Sequence, residues 1–357
     1  MMGELKRIGL AAAALVIALV VCLALTVGRD AYLRFVEEAN TPEPVLTEGL
    51  EGLPVGVTLD TEPNYVQDGY AVFDDRAVKL FETDEATLAT CTTAQRALFD
   101  SVPEGVSKYA LLAPTRALFE PSLQEMTNDQ AAAISHAYSA MPSDVTCIDA
   151  VSVLQEHADE YLYYRTDGDW TFLGAYWASR AALDACGLEG IDISEYRRDT
   201  RSELHGSYAS RFDIDGVDDL AAYYIHPNLP NSAEISTRLG SGTGSDLYSA
   251  PALAVSRGGD SIALGSYISY AAIEGAADNG RTILIAGDSD AKSFATWLIA
   301  SFEQIVYVDI DWNTLEAAEF HELFATYGVT DFLLFQSIDA LSLGNGNSSL
   351  YDLAGEE

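Results

Sequence analysis

The feature that most constrains the fold is an alternation of apolar, strand-length runs with helix-length segments. The runs that predict strands are KYALLAP (108–114), VTCIDAV (145–151), TILIAG (282–287), QIVYVDI (304–310) and TDFLLFQS (330–337). The segments that predict helices cover residues 128–141, 171–186, 293–302 and 315–328. This alternation predicts an α/β fold with a parallel sheet that helices flank on both faces.

The same pattern sets the domain boundaries. The predicted domain covers residues 65–345. Within this domain, residues 190–280 form a segment rich in Gly, Ser and Asp, which predicts an insertion of loops and short strands beside the sheet. Residues 29–64 are rich in Glu, Pro and Gly and predict a linker, and residues 346–357 predict an acidic tail.

The N-terminus predicts a membrane anchor. Residues 8–28 carry no charged side chain, a length that matches the roughly 20 residues of a membrane-spanning helix. Lys6 and Arg7 precede this segment, so the positive-inside bias leaves residues 1–7 in the cytoplasm and exports the chain after about Arg29. A cleaved signal peptide is the alternative, but the segment has no clean small-x-small site. The sequence therefore predicts a single-pass protein of the cell membrane with an extracellular C-terminal domain.

Composition excludes several classes of partner. The chain has 19 Lys and Arg against 55 Asp and Glu, a formal net charge of −36, and no basic cluster, which argues against a nucleic-acid partner. The five histidines stand singly, and no Cys/His spacing predicts a metal site. We expect no cofactor.

Two places combine a predicted strand or loop end with chemistry-bearing side chains. The first is Gly287-Asp288-Ser289, where a strand ends at a glycine and a helix is predicted to follow. Ligands of an open parallel sheet bind at such ends, and backbone N–H groups at the start of a helix can stabilise an oxyanion. Asp or Ser before a helix is also an ordinary N-cap, so the turn alone does not establish a nucleophile.

The second place is the Asp167-Gly168-Asp169-Trp170 stretch before a helix that begins near Thr171. Both aspartates can act there merely as caps and dipole partners. However, residues 163–178, YYRTDGDWTFLGAYWA, resemble the signature of the DHHW protein family, an Asp-His-His-Trp tetrad followed by Thr and a Leu-Gly-Ala-Tyr helix start. Further segments that resemble family landmarks are LLAPTRAL (111–118), CIDAVSVLQEHADEYLYYRTD (147–167), LHGSYASR (204–211), ILIAGDSDAKSF (283–294) and IVYVDIDW (305–312).

The DHHW family is similar to SGNH-type proteins that acetylate alginate and other cell-envelope polymers. The resemblance implies an SGNH-like domain with a Ser-His-Asp arrangement, in which Ser289 matches the nucleophile and Asp167 the orienting acid. Asp169 stands at the position of the general base, and Gly168 at that of the other histidine. A cell-envelope glycan, or a membrane protein that transfers acyl groups, is the partner that the resemblance implies.

The missing imidazole is the main departure from the family pattern. In a serine triad the imidazole takes the hydroxyl proton, whereas the ordinary pKa of a carboxylate lies more than two units below that of imidazole. Repulsion between Asp167 and Asp169 raises one of their pKa values and narrows this gap. Lys292 lies one helical turn after Ser289, either as a neutral general base or in an ion pair with Asp169, Asp167 or Asp290. The ion pair is favoured because nearby aspartates raise the pKa of a lysine.

Two residues remain as possible ligand contacts: Trp170 of the tetrad, and His205 in the family-like segment LHGSYASR. The sequence favours a degenerate SGNH-like protein that binds a glycan or an acyl-carrying partner without turnover. The alternative is an active O-acetyltransferase or esterase that uses Ser289 with Lys292 or Asp169 as base. A structural envelope component that binds a basic partner is a third hypothesis.

Overall fold

A computed structural model provides the structure of the chain. It describes residues 45–48, 61–204, 206–212, 214, 217, 219–230, 232–237, 240–246, 263–265, 268–311, 315–343 and 347–355. Residues 45–357 form one compact unit. The predicted anchor at 8–28 and the possible ligand contact His205 lie outside the described residues. Within the described part of the chain, no helix is long and apolar enough to span a membrane.

The first half of the chain supplies the strands and helices that begin the domain. Its strands are β1 Val45–Glu48, β2 Tyr65–Gln67, β3 Tyr70–Val72, β4 Ala77–Lys79, β5 Ser107–Ala113 and β6 Val145–Ile148. Its helices are α1 Glu85–Ser101, α2 Gln130–Ala140, α3 Ala150–Glu156 and α4 Phe172–Ala185.

The second half completes the sheet. Its strands are β7 Arg197–Leu204, β8 Asp219–Ile225, β9 Ser232–Thr237, β10 Gly240–Asp246, β11 Ile268–Glu274, β12 Thr282–Gly287, β13 Gln304–Asp309 and β14 Asp331–Ser337. Its helices are α5 Ala291–Thr296, α6 Ala317–Tyr327 and α7 Ser348–Ala354.

The central sheet has eight strands in the order β10-β9-β11-β13-β12-β14-β5-β6. The five strands from β13 to β6 pair in parallel, as the alternation predicts. Strands β11, β9 and β10 extend the sheet antiparallel at its other edge, so the sheet is mixed rather than parallel throughout. These three strands come from the region predicted as an insertion beside the sheet. Their backbone groups pair with the central strands instead.

Helices cover both faces of the sheet, because the central strands are apolar on both sides. In β12, Ile283 and Ile285 pack into the cluster that contains α4 and α5, whereas Leu284 and Ala286 pack into the cluster that contains α1, α6 and α7. All six residues of β12 are buried. This two-sided burial is what a strand between two helical layers requires.

Several boundaries differ from the sequence prediction. The predicted strand 145–151 ends at Ile148, because Asp149 caps α3 by accepting a hydrogen bond from the Ser152 amide. Helix α5 has six residues, shorter than the predicted 293–302. In the predicted linker, β1 pairs with β7. In the predicted acidic tail, α7 packs two buried leucines against the domain.

Candidate active site

The carboxyl ends of four parallel strands meet at one edge of the sheet. Strand β5 leads to Arg116, β12 to Ser289, β13 to Asp311 and β14 to Asp339. Side chains at all four ends line one cavity of about 510 Å³. Parallel strands place their C-terminal ends on the same side, which is why residues more than 200 positions apart converge here.

Hydrogen bonds from strand β13 position the backbone of the Ser289 turn. Tyr307 on β13 donates its hydroxyl hydrogen to the carbonyls of Gly287 and Asp288, at 3.1 and 2.9 Å. Gly287 lies opposite Asp309 in the parallel register of β12 and β13. Ser289 is half-buried and lines the cavity. Ser289 therefore follows the end of a strand and faces a cavity, at the place where the sequence predicts that a strand ends.

The backbone amide of Ser289 points at a carboxylate. Its N–H donates to Asp311 Oδ2 at 3.1 Å. Acyl transfer through a serine places a developing oxyanion near the amide of that residue, and a donor of this kind is worth roughly 3 kcal/mol of transition-state stabilisation. With Asp311 in place, the amide is satisfied and a negative charge stands where the oxyanion would form.

Asp288 is a buried carboxyl beside two other acids. It is 8% exposed, and its Oδ2 accepts a hydrogen bond from the Ser337 amide at 2.5 Å. Its Oδ1 has no hydrogen-bond partner among the described residues. Burial, reinforced by the negative charges of Asp311 and Asp309, raises the pKa of Asp288 to about 8. The carboxyl therefore holds its proton through much of the neutral range.

Lys292 lies beneath the turn. Its side chain is 3% exposed, and Nζ is 3.3 Å from Asp309 Oδ2. The sequence predicted an ion pair with Asp169, Asp167 or Asp290. The structure forms the ion pair with Asp309 instead, because β13 places that carboxylate directly beside β12. Lys292 Nζ is therefore engaged by a buried carboxylate, and between the described residues Lys292 and Ser289 it makes no hydrogen bond to the serine hydroxyl.

Asp167 is fixed in a tight loop. It accepts hydrogen bonds from the Gly168 amide at 2.8 Å and from the Ser207 amide at 3.1 Å. The preceding Thr166 is anchored by the buried Asp219, which accepts from the Thr166 amide at 2.7 Å and from its hydroxyl at 2.6 Å. The loop that carries the tetrad is thus positioned by backbone contacts to an acid on β8.

Tyr208 occupies the space beside Gly168. A Cβ atom at position 168 would lie 2.5 Å from the Tyr208 hydroxyl oxygen, closer than a carbon can approach. Burial, together with Tyr70 and the carboxylates of Asp167, Asp339 and Asp169, raises the pKa of Tyr208 well above its ordinary value. Where the family tetrad has a histidine, this chain has a glycine covered by a neutral tyrosine.

Trp170 connects the two candidate segments. Its Nε1–H lies 3.1 Å from the Asp290 carbonyl and 3.1 Å from Ser293 Oγ, so the indole bridges the tetrad loop to the Ser289 turn. The side chain is 3% exposed and packs edge-on against Phe335. The structure therefore gives Trp170 a supporting contact beneath the site.

The structure brings four of the predicted site residues to one cavity. Those that line it are Asp167, Asp169, Asp288 and Ser289, whereas Gly287, Trp170 and Lys292 lie behind the wall. Among the described residues, no histidine lines the cavity, and no side chain hydrogen-bonds the Ser289 hydroxyl. The described residues also contain no group of three or more His, Cys, Asp or Glu placed to hold a metal ion.

Sequence reasoning missed Asp309, Asp311, Asp339 and Tyr208. Asp309 lies near the end of the predicted strand 304–310 and Asp311 directly follows it, so the strand-end rule that indicated Ser289 also applies to both. Asp339 follows β14 in the same way. Tyr208 comes from a loop, and its approach to Gly168 depends on a hydrogen bond from the Tyr208 amide to the Thr166 carbonyl, which no local pattern indicates.

Comparison with known proteins supports the resemblance. Residues 115–232 match the model of the DHHW protein family. A DHHW family protein from Eubacterium siraeum superposes with a TM-score of 0.70 at 22% identity, over 83% of this chain and 98% of that one. Bacillus cereus PatB1, solved with a sulfonyl adduct, superposes with a TM-score of 0.62 at 18% identity, over 79% of this chain and 97% of that one.

The O-acetyltransferase domain of Pseudomonas putida AlgJ aligns more loosely, with a TM-score of 0.43 at 13% identity, over 88% of this chain and 99% of that one. That likeness is too loose to bear on the site. Among curated proteins there is no match. The resemblance predicted from the sequence is confirmed, since residues 115–232 match the DHHW family and the described domain has the fold of a DHHW family protein.

Proposed function

We propose that this chain is a membrane-anchored, extracellular SGNH-like protein of cell-envelope polysaccharide acylation that binds a glycan without turning it over. The observation that carries the proposal is the hydrogen bond from the Ser289 amide to Asp311. A carboxylate on this amide opposes the oxyanion that acyl transfer requires. The link to acylation rests on the family resemblance, and the anchor rests on the apolar segment 8–28.

The lost base supports the same proposal. Asp169 stands at the general-base position of the family and lines the cavity with Ser289. A carboxylate of ordinary pKa is a much weaker base than imidazole at neutral pH. Lys292 is held by Asp309, and removing it from this buried ion pair would leave an uncompensated buried carboxylate.

The experiment is labelling of the full-length chain, purified in a mild detergent, with a sulfonyl fluoride and a fluorophosphonate. PatB1 has been solved with a sulfonyl adduct, which makes the sulfonyl probe the natural choice. We expect no adduct on Ser289 at neutral or alkaline pH under conditions that label an active serine esterase. Intact mass and peptide mapping give the result.

Variants of the candidate residues distinguish an inactive Ser289 from a Ser289 that another side chain activates as a base. Ser289→Ala is the negative control, and Lys292→Ala and Asp169→Asn each remove one alternative base. An adduct on Ser289 of the wild-type chain would overturn the proposal, and the variant that loses it would identify the base of an active acyltransferase or esterase. In the reverse direction, the double variant Asp169→His, Asp311→Ala should gain labelling.

A further inference from the structure

The cavity is acidic beyond what a triad needs. Six aspartates line it, and they come from the tetrad loop and from the ends of three strands. They are Asp167, Asp169, Asp288, Asp290, Asp311 and Asp339. Among the described residues, the cations that line the same cavity are Lys79 and Arg116. The described wall of the cavity therefore carries more acidic than basic groups.

Both cations already face acids. Lys79 Nζ lies 2.7 Å from Asp339 Oδ2 at the half-exposed margin. Arg116 is 8% exposed, donates to the Tyr163 carbonyl at 2.7 Å, and lies 3.6 Å from the buried Glu120. Neither cation therefore offsets the acids at the Ser289 end of the cavity.

A second observation concerns Asp288 itself. This side chain is more than nine-tenths buried, lines the cavity, and leaves Oδ1 without a hydrogen-bond partner among the described residues. A buried carboxyl oxygen without a donor is costly, and a bound donor would relieve that cost. When no cation is bound, the raised pKa keeps a proton on Asp288, and a bound cation would displace that proton and donate to the carboxylate in its place.

The remaining wall suits a saccharide. Tyr70 and Tyr208 line the cavity in an edge-to-face pair with ring centroids 5.2 Å apart, and aromatic rings provide faces for the C–H groups of a sugar. Ser207 and Ser348 add short polar groups for hydroxyls.

From these observations we propose that the cavity binds a saccharide that carries a free amino group, with the ammonium at the aspartate cluster beside Ser289. The saccharide part rests on the proposed function, whereas the preference for an ammonium rests on the described wall. The ammonium displaces the proton that Asp288 holds when no cation is bound, donates to its carboxylate and adds a positive charge among the aspartates. An organic ammonium fits better than a metal ion, because the described carboxylates do not converge on one point.

The test is isothermal titration of the full-length chain with three ligands: the β-1,4-linked trisaccharide of glucosamine, its fully N-acetylated counterpart, and trilysine. We expect the amino trisaccharide to bind one per chain, at least about tenfold more tightly than the acetylated one, a difference of about 1.4 kcal/mol. Equal or tighter binding of the acetylated trisaccharide overturns the ammonium site. Trilysine binding as tightly as the amino sugar overturns the saccharide assignment.

Variants that each remove one charge distinguish binding in the cavity from attraction to the overall negative charge of the chain. Asp290→Asn and Asp169→Asn each remove one charge from the wall and should weaken binding of the amino trisaccharide about fivefold. Asp159→Asn removes the same charge from an exposed turn and should leave the Kd unchanged. An equal loss in Asp159→Asn would mean attraction to the whole acidic surface and overturn the proposal.

The two proposals fail separately. An adduct on Ser289 would overturn the absence of turnover but not the ammonium preference, and loss of that preference would leave the labelling result untouched. Because the three-ligand comparison uses the wild-type chain, it stands even if a cavity variant fails to fold.

Discussion

The protonated state of Asp288 gives the chain a pH-dependent stability that one substitution should remove. In the folded chain the pKa of Asp288 is raised to about 8 from an ordinary value of 3.8, because of burial and the charges of Asp311 and Asp309. The unfolded chain therefore releases this proton at a lower pH than the folded chain. Linkage then requires that the contribution is fully present below about pH 4 and is lost as pH rises toward 8.

The magnitude follows from the width of that window. Between pH 5 and pH 8 the two states differ over about three pH units, and each unit is worth about 1.4 kcal/mol, so the loss is about 4 kcal/mol at most. Asp288→Asn keeps an oxygen that accepts from the Ser337 amide but cannot ionise. The variant should therefore lose less stability than the wild type as pH rises.

The assay is urea unfolding of residues 45–357, the compact unit, followed by tryptophan fluorescence at pH 5 and pH 8. Trp170 packs beneath the Ser289 turn and reports its loss. We expect the advantage of Asp288→Asn over the wild type to grow by about 2 to 4 kcal/mol between the two pH values. If the two proteins lose stability in parallel, as Asp159→Asn and the wild type should, the raised pKa is refuted.

Two further perturbations test the packing around the site. Lys292→Met leaves Asp309 buried without its ammonium partner and should lower the free energy of unfolding in urea by about 3 to 5 kcal/mol. Adding Asp309→Asn to that variant should restore part of the lost stability. No recovery would argue against the Lys292–Asp309 ion pair. Gly168→Ala places a Cβ 2.5 Å from the Tyr208 hydroxyl and should cost about 1 to 3 kcal/mol. Tyr208→Phe should rescue it, and an unchanged loss in the double variant would contradict this contact.

The centre of the fold could be predicted because its signal is local. Strand β12 coincides with the predicted run TILIAG, and β5, β13 and β14 lie within one residue of their predicted ends. A strand buried on both faces must be apolar throughout, so an unbroken apolar run in the sequence shows where such a strand begins and ends. Helix α4 was predictable for a related reason, since Thr171 caps it through the amides of Leu173 and Gly174.

Other parts of the fold depend on partners far away in the chain. Helix α1 escaped prediction, since several threonines interrupt its apolar residues and its buried face is completed by β-strand and C-terminal residues. Strands β9 and β10 read as Gly and Ser-rich loops and become strands by pairing at the edge of the sheet.

The candidate site also contains some contacts that the sequence could predict and others that it could not. The meeting of Asp169 and Ser289 in one cavity was predictable, because the resemblance joins their segments and both lie at strand or loop ends. The partner of Lys292 was not, because it depends on which strand lies beside β12. The contact of Asp311 with the Ser289 amide likewise depends on side-chain direction, which no spacing in the sequence fixes.

The order in which the chain is synthesised has a consequence for the cavity. Its walls are spread from Tyr70 to Ser349, and the central strand β5 is flanked by β14, which the ribosome makes more than 200 residues later. Domains fold from the N-terminus as they emerge, but this sheet lacks a central neighbour until the last strand is complete. During translation the edge of β5 that pairs with β14 therefore stays without its partner until β14 has been made, and the cavity forms only after that strand.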